Sequence, residues 1–300
     1  AAAPWSLGLR FEGALLKRAL RFGLAFQGAN LTALARDNIN ALLGGSVFGP
    51  KAVGYLNWGM NLAQTCSHSF VMIVGRVSFP AFARLHDEPG ERERLLIRTL
   101  GGLNLITWPL LAIVAVLGSP IVAHLYGEAW RPALPVLWAF SARFAATNTT
   151  SILVSYLNAT GRAGGGFRVT LLWAAVEWGL ALALLPKLGF YGIAVACGVG
   201  ALLPAAWLLW SFRNEIAMPY ARLFGLPLAL AAGAAALSWV LAPFVTTGLQ
   251  LIAVLAIVTT SVLTVIAYLE RAALRESYQQ FIAPRLRPLE SRVATAENRD

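Results

Sequence analysis

The chain has 300 residues, of which 58% are hydrophobic and only 13% charged, about half the charged share of a soluble domain. A soluble fold of this size cannot hide so much apolar surface. Composition therefore excludes an ordinary soluble enzyme, a disordered chain and a collagen-like fibre, and two cysteines, Cys66 and Cys197, are too few for a disulfide-stapled secreted domain. The formal charge of +10 would suit nucleic acid, but the basic residues sit between apolar runs, where they set orientation in a membrane. No nucleic-acid partner is expected.

The chain begins at Ala1-Ala2-Ala3-Pro4-Trp5, without a methionine or a signal peptide, and is expected to be the back part of a longer protein. A membrane helix needs about 20 mostly apolar residues to cross a hydrocarbon layer of about 30 Å. Eight stretches meet that length: 22–45, 54–79, 96–118, 134–159, 168–186, 190–212, 223–245 and 249–269. Short connections rich in Gly, Pro and charge separate them, among them Gly44-Gly45-Ser46, Ser119-Pro120 and Gly161-Arg162-Ala163-Gly164. A β-barrel would show alternating segments of about ten residues instead. The expected fold is an all-α integral membrane protein with about eight transmembrane helices.

Lys and Arg divide unequally between the two sides. With a cytoplasmic N-terminus, 19 fall on the inner side and three, Lys51, Arg131 and Lys187, on the outer side, leaving Arg36 and Arg143 within spans. This is the positive-inside pattern, and it places both termini in the cytoplasm. The tail 271–300 is polar, carries six arginines and two prolines, and reads as a solvated extension. Trp58, Trp130, Trp207 and Trp210 lie near span ends, as interfacial residues do.

Ionisable groups inside a bilayer are costly, so they face the bundle interior or a cavity and mark function. The first span carries Gln27, Asn30, Thr32, Arg36, Asp37, Asn38 and Asn40 on a broad arc, with Leu24, Leu31, Ala35, Ile39 and Leu42 opposite. This arc is wider than helix–helix contact requires. In the second span Asn57, Asn61, Gln64 and His68 recur at steps of four, three and four, which forms a narrow polar stripe suited to a cavity wall. The fourth span carries Arg143 with Thr147, Asn148, Thr150, Ser151, Ser155 and Asn158, and the fifth carries Glu177 between Trp173 and Trp178.

Arg36 and Arg143 each lie about three residues, or ~4–5 Å, outward of their span centres, and Glu177 lies near the midplane. The two arginines, with Asn57, Asn61 and Gln64, are the candidate substrate-binding residues. Asp37, Glu177 and His68 are the candidates for ion coupling or charge partnership. A second role is open for the charged groups: Arg36–Asp37 and Arg143–Glu177 pairs that neutralise one another and lock helices together. His68 alone reads first as a packing histidine.

Catalytic chemistry is not indicated. The sequence has no phosphate-binding Gly-rich loop followed by Lys, no paired acidic nucleotide–metal motif and no His or Cys cluster with metal-ligand spacing. Neither an enzyme activity, a metal nor a cofactor is expected.

Five connections carry a resemblance. The stretch Leu43-Gly44-Gly45-Ser46-Val47-Phe48-Gly49-Pro50-Lys51-Ala52-Val53-Gly54-Tyr55 resembles the loop between the first two helices of the second lobe in polysaccharide flippases. Phe79-Pro80-Ala81-Phe82-Ala83-Arg84-Leu85, Gly127-Glu128-Ala129-Trp130-Arg131-Pro132-Ala133, Asn158-Ala159-Thr160-Gly161-Arg162 and Gly189-Phe190-Tyr191-Gly192-Ile193-Ala194 follow in order. Residues 20–213 thus resemble the lipid-linked oligosaccharide flippases of the multidrug/oligosaccharidyl-lipid/polysaccharide exporter superfamily.

That resemblance implies two six-helix lobes, often with two extra helices. The chain would then comprise a cytoplasmic entry segment (1–21), the second lobe (22–213), two additional helices (214–270) and a cytoplasmic tail (271–300), with the first lobe missing. It also implies a multi-pass protein of the cell inner membrane that flips lipid-linked glycan by alternating access. The implied partners are an undecaprenyl diphosphate-linked glycan, the surrounding membrane lipids and the absent N-terminal lobe. A cation-coupled multidrug exporter of the same fold is the alternative. The motifs are turns, so the roles of Arg36 and Arg143 rest on position alone.

Overall fold

The computed structural model describes residues 13–85 and 87–271; the first half of the entry segment and nearly all of the tail lie outside them. The described residues hold no strand and form eight long helical rods. The first is α1 (Gly13–Asp37), extended by a π turn (Asn40–Gly44) and a short helix (Gly45–Phe48). It is followed by α2 (Pro50–Arg84), α3 (Pro89–Val116), α4 (Leu134–Ala159) and α5 (Ala163–Leu188). The last three are α6 (Phe190–Phe212), α7 (Ala221–Phe244) and α8 (Gly248–Leu269). Each rod falls on one of the eight stretches read from the sequence.

By length and composition, α3, α5, α6, α7 and α8 can cross a membrane. The other three, α1, α2 and α4, are at least as long as α8 but less apolar, because they carry the polar arcs and the stripe. The chain is an all-α, multi-pass membrane protein, and its three less apolar helices are the ones that line the polar cavity.

Four described residues have left-handed backbone angles, and all are glycines: Gly49, Gly127, Gly161 and Gly189. Each opens or closes a turn within one of the quoted loop motifs. A side chain would be strained there, which explains why these motifs have glycine at these points.

At the centre α4 packs against α2, α3 and α6, while α1 runs along α5. The outlying pair, α7 and α8, packs on α3. This attachment has a polar pin. Buried Asn104 donates from Nδ2 to the carbonyl of Leu223 at 3.2 Å, and accepts from the Thr149 hydroxyl at 3.3 Å. Leu223 lies in another π turn, Ala221–Gly225, at the start of α7. Asn104 therefore ties α3 to both α4 and α7.

Apolar packing forms two large cores and a small cluster of Ala146, Trp173, Ala201 and Ala205. One core, at the Gly127 end, gathers Ile39, Leu56, Leu137, Phe140 and Ile193; the other, at the Gly161 end, gathers Phe82, Leu100, Leu153, Tyr156 and Phe212. Ile39, which the helical arc assigns to the lipid face, is instead fully buried in the first core, because the chain enters the π turn directly after it. Trp58 also departs from the interfacial expectation. It is buried in an aromatic cluster with Tyr126 and Trp130, whereas Trp207 and Trp210 are exposed. The polar site lies between the two cores.

Candidate functional site

Three helices bring four charges together. Asp37, the last residue of α1, accepts through Oδ1 from Arg36 Nε at 3.0 Å and Nη2 at 2.9 Å, and from Arg143 Nη2 of α4 at 3.1 Å. The same Arg143 nitrogen donates to Glu177 Oε2 of α5 at 3.4 Å, and Arg36 Nε lies 3.8 Å from that oxygen. The expected pairs Arg36–Asp37 and Arg143–Glu177 are thus parts of a single four-membered cluster. Its formal charge, two guanidiniums against two carboxylates, is zero.

The two carboxylates sit in opposite environments. The Glu177 side chain is fully enclosed, while that of Asp37 is 55% exposed. The guanidinium-bearing side chains are nearly buried, at 9% for Arg36 and 5% for Arg143. Arg36 also lies 3.7 Å above the ring of Trp173, one helical turn from Glu177 on α5. This cation–π contact is strongest where water is excluded.

The close fit around Glu177 depends on α6. Pro204 has no N–H to offer the Gly200 carbonyl, and α6 breaks into two helical segments at Ala201, as proline inside a helix causes. At the break, a Cβ on Gly200 would stand 2.8 Å from Glu177 Cγ. Glycine is what allows α6 to approach the buried carboxylate.

A cavity of about 250 Å³ adjoins the cluster. Arg36 and Asp37 of α1, Gln64, Ser67 and His68 of α2, and Arg143, Thr147, Asn148 and Ser151 of α4 line it. It therefore offers two cations, one exposed carboxylate, an imidazole, two amides and three hydroxyls. His68 is exposed along this wall rather than packed in a core. The Thr147 hydroxyl donates to the Arg143 carbonyl at 2.8 Å and keeps its lone pairs for a ligand.

The upper part of the α2 stripe does not reach this cavity. Asn57 meets Asn40 Nδ2 at 3.4 Å beside the π turn, and Asn61 is exposed. Neither lines the cavity, whose wall begins at Met60 and Gln64. The polar arcs and the stripe do not mark Ser67 and Trp173 as site residues. Ser67 lies next to His68, one position off the counted stripe, and the stacking role of Trp173 needs a contact between α1 and α5 that periodicity does not encode.

A larger cavity of about 520 Å³ lies between α3, α4, α6 and α7, with Trp108, Leu209 and Phe224 on its walls. Its hydroxyls, Ser141 and Thr149, are already bonded to Leu137 and Asn104, so it offers little to a polar ligand. Among the described residues, no group of three or more His, Cys, Asp or Glu side chains could hold a metal ion.

The first three turn motifs lie within a stretch that resembles known proteins. Residues 1–135 match the family described as polysaccharide biosynthesis protein. Over 130 residues the chain is 28% identical to the lipopolysaccharide biosynthesis protein WzxC of Escherichia coli (strain K12), covering 43% of this chain and 26% of that protein. Over 133 residues it is 26% identical to the teichuronic acid biosynthesis protein TuaB of Bacillus subtilis (strain 168), covering 44% of this chain and 28% of that protein. The matches thus span about a quarter of the length of these curated relatives. The similarity to polysaccharide biosynthesis proteins includes α1 and α2, and with them Arg36, Asp37, Gln64 and His68. Arg143 and Glu177, and the motifs at Gly161 and Gly189, lie beyond residue 135.

Proposed function

We propose that this chain forms a six-helix lobe and two additional helices of an inner-membrane flippase, which moves a lipid-linked oligosaccharide by alternating access. The observation that carries this reading is the meeting of Arg36 and Arg143, from helices more than 100 residues apart, on one polar cavity. Guanidinium forks bind phosphate oxygens bidentately, which suits the diphosphate of an undecaprenyl-linked glycan. Gln64, Asn148, Thr147 and Ser151 suit sugar hydroxyls, and the lipid tail remains in the bilayer. The names of the similar proteins, lipopolysaccharide and teichuronic acid biosynthesis, agree with a glycan as cargo. In this reading α1, α2 and α4 present their polar wall to an N-terminal lobe, and the site lies at mid-membrane, as in other two-lobe carriers. Both termini face the cytoplasm, following the charge asymmetry, and the protein carries cargo without catalysing a reaction on it.

The half-exposed carboxylate of Asp37 supports a second reading, a cation-coupled small-molecule exporter. Complementation separates the two. In a strain lacking its polysaccharide flippase, the full-length protein should restore surface polysaccharide, and Arg143→Ala should abolish that restoration at normal membrane abundance. Arg143→Lys should retain part of it, because the charge persists while the fork is lost. Failure of the natural protein to restore surface polysaccharide would favour the exporter reading, whereas full restoration by Arg143→Ala would leave the charged cluster only the role of locking helices together.

A further inference from the structure

We propose that the Asp37 carboxylate is a built-in placeholder for the phosphate group of the cargo: it occupies the two guanidiniums until an anion binds and must then leave them. This inference rests on the flippase reading above and assigns separate jobs to the two carboxylates of the cluster.

The argument begins with what each carboxylate touches. Asp37 Oδ1 takes hydrogen bonds from both arginines, three in all. It thereby fills the position where one phosphate oxygen would bridge the two forks. Neighbouring residues on a regular helix point about 100° apart, so an Arg36–Asp37 bond is not a by-product of helical geometry. It forms at the last residue of α1, just before the turn at Asn38 and the π segment. An irregular backbone of this kind is common where a helix must re-aim a functional side chain.

Burial separates the roles. Glu177 is wholly enclosed by α4, α5 and the Gly200 break, and its carboxylate has no route to the cavity. It can hold the guanidiniums in place but cannot move aside. Asp37 is more than half exposed and lines the cavity, so its side chain can rotate into the aqueous space and remain hydrated. A half-exposed ion pair is also weak, because water and salt screen it. The carboxylate that an incoming anion can displace is therefore the exposed one.

Charge gives the device its consequence. With both carboxylates seated the cluster is formally neutral and exerts little net pull on an anion. When Asp37 swings out, Arg36, Arg143 and Glu177 leave a local charge of +1 facing the cavity. Weak phosphates that cannot displace Asp37 are excluded, and after release the site resets itself without exposing two unpaired guanidiniums.

The test uses the full-length protein in lipid nanodiscs, titrated calorimetrically with inorganic pyrophosphate and, separately, with farnesyl diphosphate. Asp37→Asn should bind the probes about tenfold more tightly than the natural protein, since a like charge beside the bound phosphate has been removed. Asp37→Glu, which keeps the carboxylate, should stay within about twofold, and Arg143→Ala should lose binding. A gain with both probes assigns recognition to the phosphates themselves, and a gain with farnesyl diphosphate alone assigns it to a lipid-borne diphosphate; either supports the placeholder. Unchanged or weaker binding by Asp37→Asn, with binding still lost in Arg143→Ala, overturns the placeholder and leaves the anion site standing. Natural-level binding by Arg143→Ala, or no binding of either probe by any variant, overturns the flippase reading together with the placeholder. Thermal melting of each variant checks that it is folded, and Asp37→Ser carries the same expectation if Asp37→Asn is not.

Discussion

Arg143 and Asp37 are 106 residues apart in the chain, yet the guanidinium of one lies 3.1 Å from the carboxylate of the other. This contact joins α4 to α1 across the wall of a polar cavity. Through Glu177 it also draws in α5, so three helices share one electrostatic centre between two apolar cores.

Removing the enclosed carboxylate should weaken the fold. Glu177→Ala leaves two nearly buried guanidiniums with Asp37 as their remaining anionic partner in the cluster. Loss of one member of a buried ion pair costs about 3–5 kcal/mol. Melting temperature in detergent should fall clearly for Glu177→Ala, and by much less for Asp37→Asn, whose pair is half exposed. Equal losses for the two variants would contradict the division between structural and displaceable carboxylates.

The approach of α6 to Glu177 gives a second prediction. Gly200→Val would place a Cβ 2.8 Å from Glu177 Cγ and 3.4 Å from its Cα, with branching beyond it. Overpacking of this sort costs about 1–3 kcal/mol. The variant should melt earlier than the natural protein, and combining it with Glu177→Ala should cost less than the two changes added separately, because the clash is then partly relieved. Full additivity would show that the two residues do not share this contact.

The Asn104 pin between α3 and the outlying helices can be tested apart from the site. Asn104→Ala deletes the bonds to Leu223 and Thr149 and leaves a buried carbonyl without its partner, at about 1–3 kcal/mol. Hydrogen exchange should rise at the start of α7 while α1 and α5 keep their protection. Unchanged exchange around Leu223 would remove Asn104 from this role.

Orientation is set by charge. Single cysteines near Lys51, Arg131 and Lys187 should react with a membrane-impermeant thiol reagent added outside the cell, and a cysteine at Arg92 should not. Outside labelling at Arg92 would invert the arrangement.

The rods were legible in the sequence because a span is a local property: twenty apolar residues bounded by Gly, Pro and charge. The turns were equally legible, since Gly49 and Gly127 adopt backbone angles that other residues resist. The pairing of Arg36 and Arg143 was partly legible through their equal depth. That both would converge on Asp37, with Glu177 bridging them from below, depends on how α1, α4 and α5 cross, which one-dimensional periodicity does not contain. The same limit explains Asn57 and Asn61. They share a stripe with Gln64 and His68, but the π turn brings Asn40 against Asn57 and the cavity wall starts lower on α2.

In the proposed function Arg143 compensates the charge of the cargo as it crosses the membrane. The most direct test of this role is translocation of a fluorescent lipid-linked oligosaccharide in proteoliposomes containing the full-length protein, read by quenching of the label accessible from one side. The natural protein should equilibrate the lipid between leaflets, Arg143→Lys should do so more slowly, and Arg143→Ala, reconstituted in equal amount, should not exceed protein-free vesicles. Translocation by Arg143→Ala at the natural rate would contradict the account and leave the cluster with the role of locking α1, α4 and α5 together.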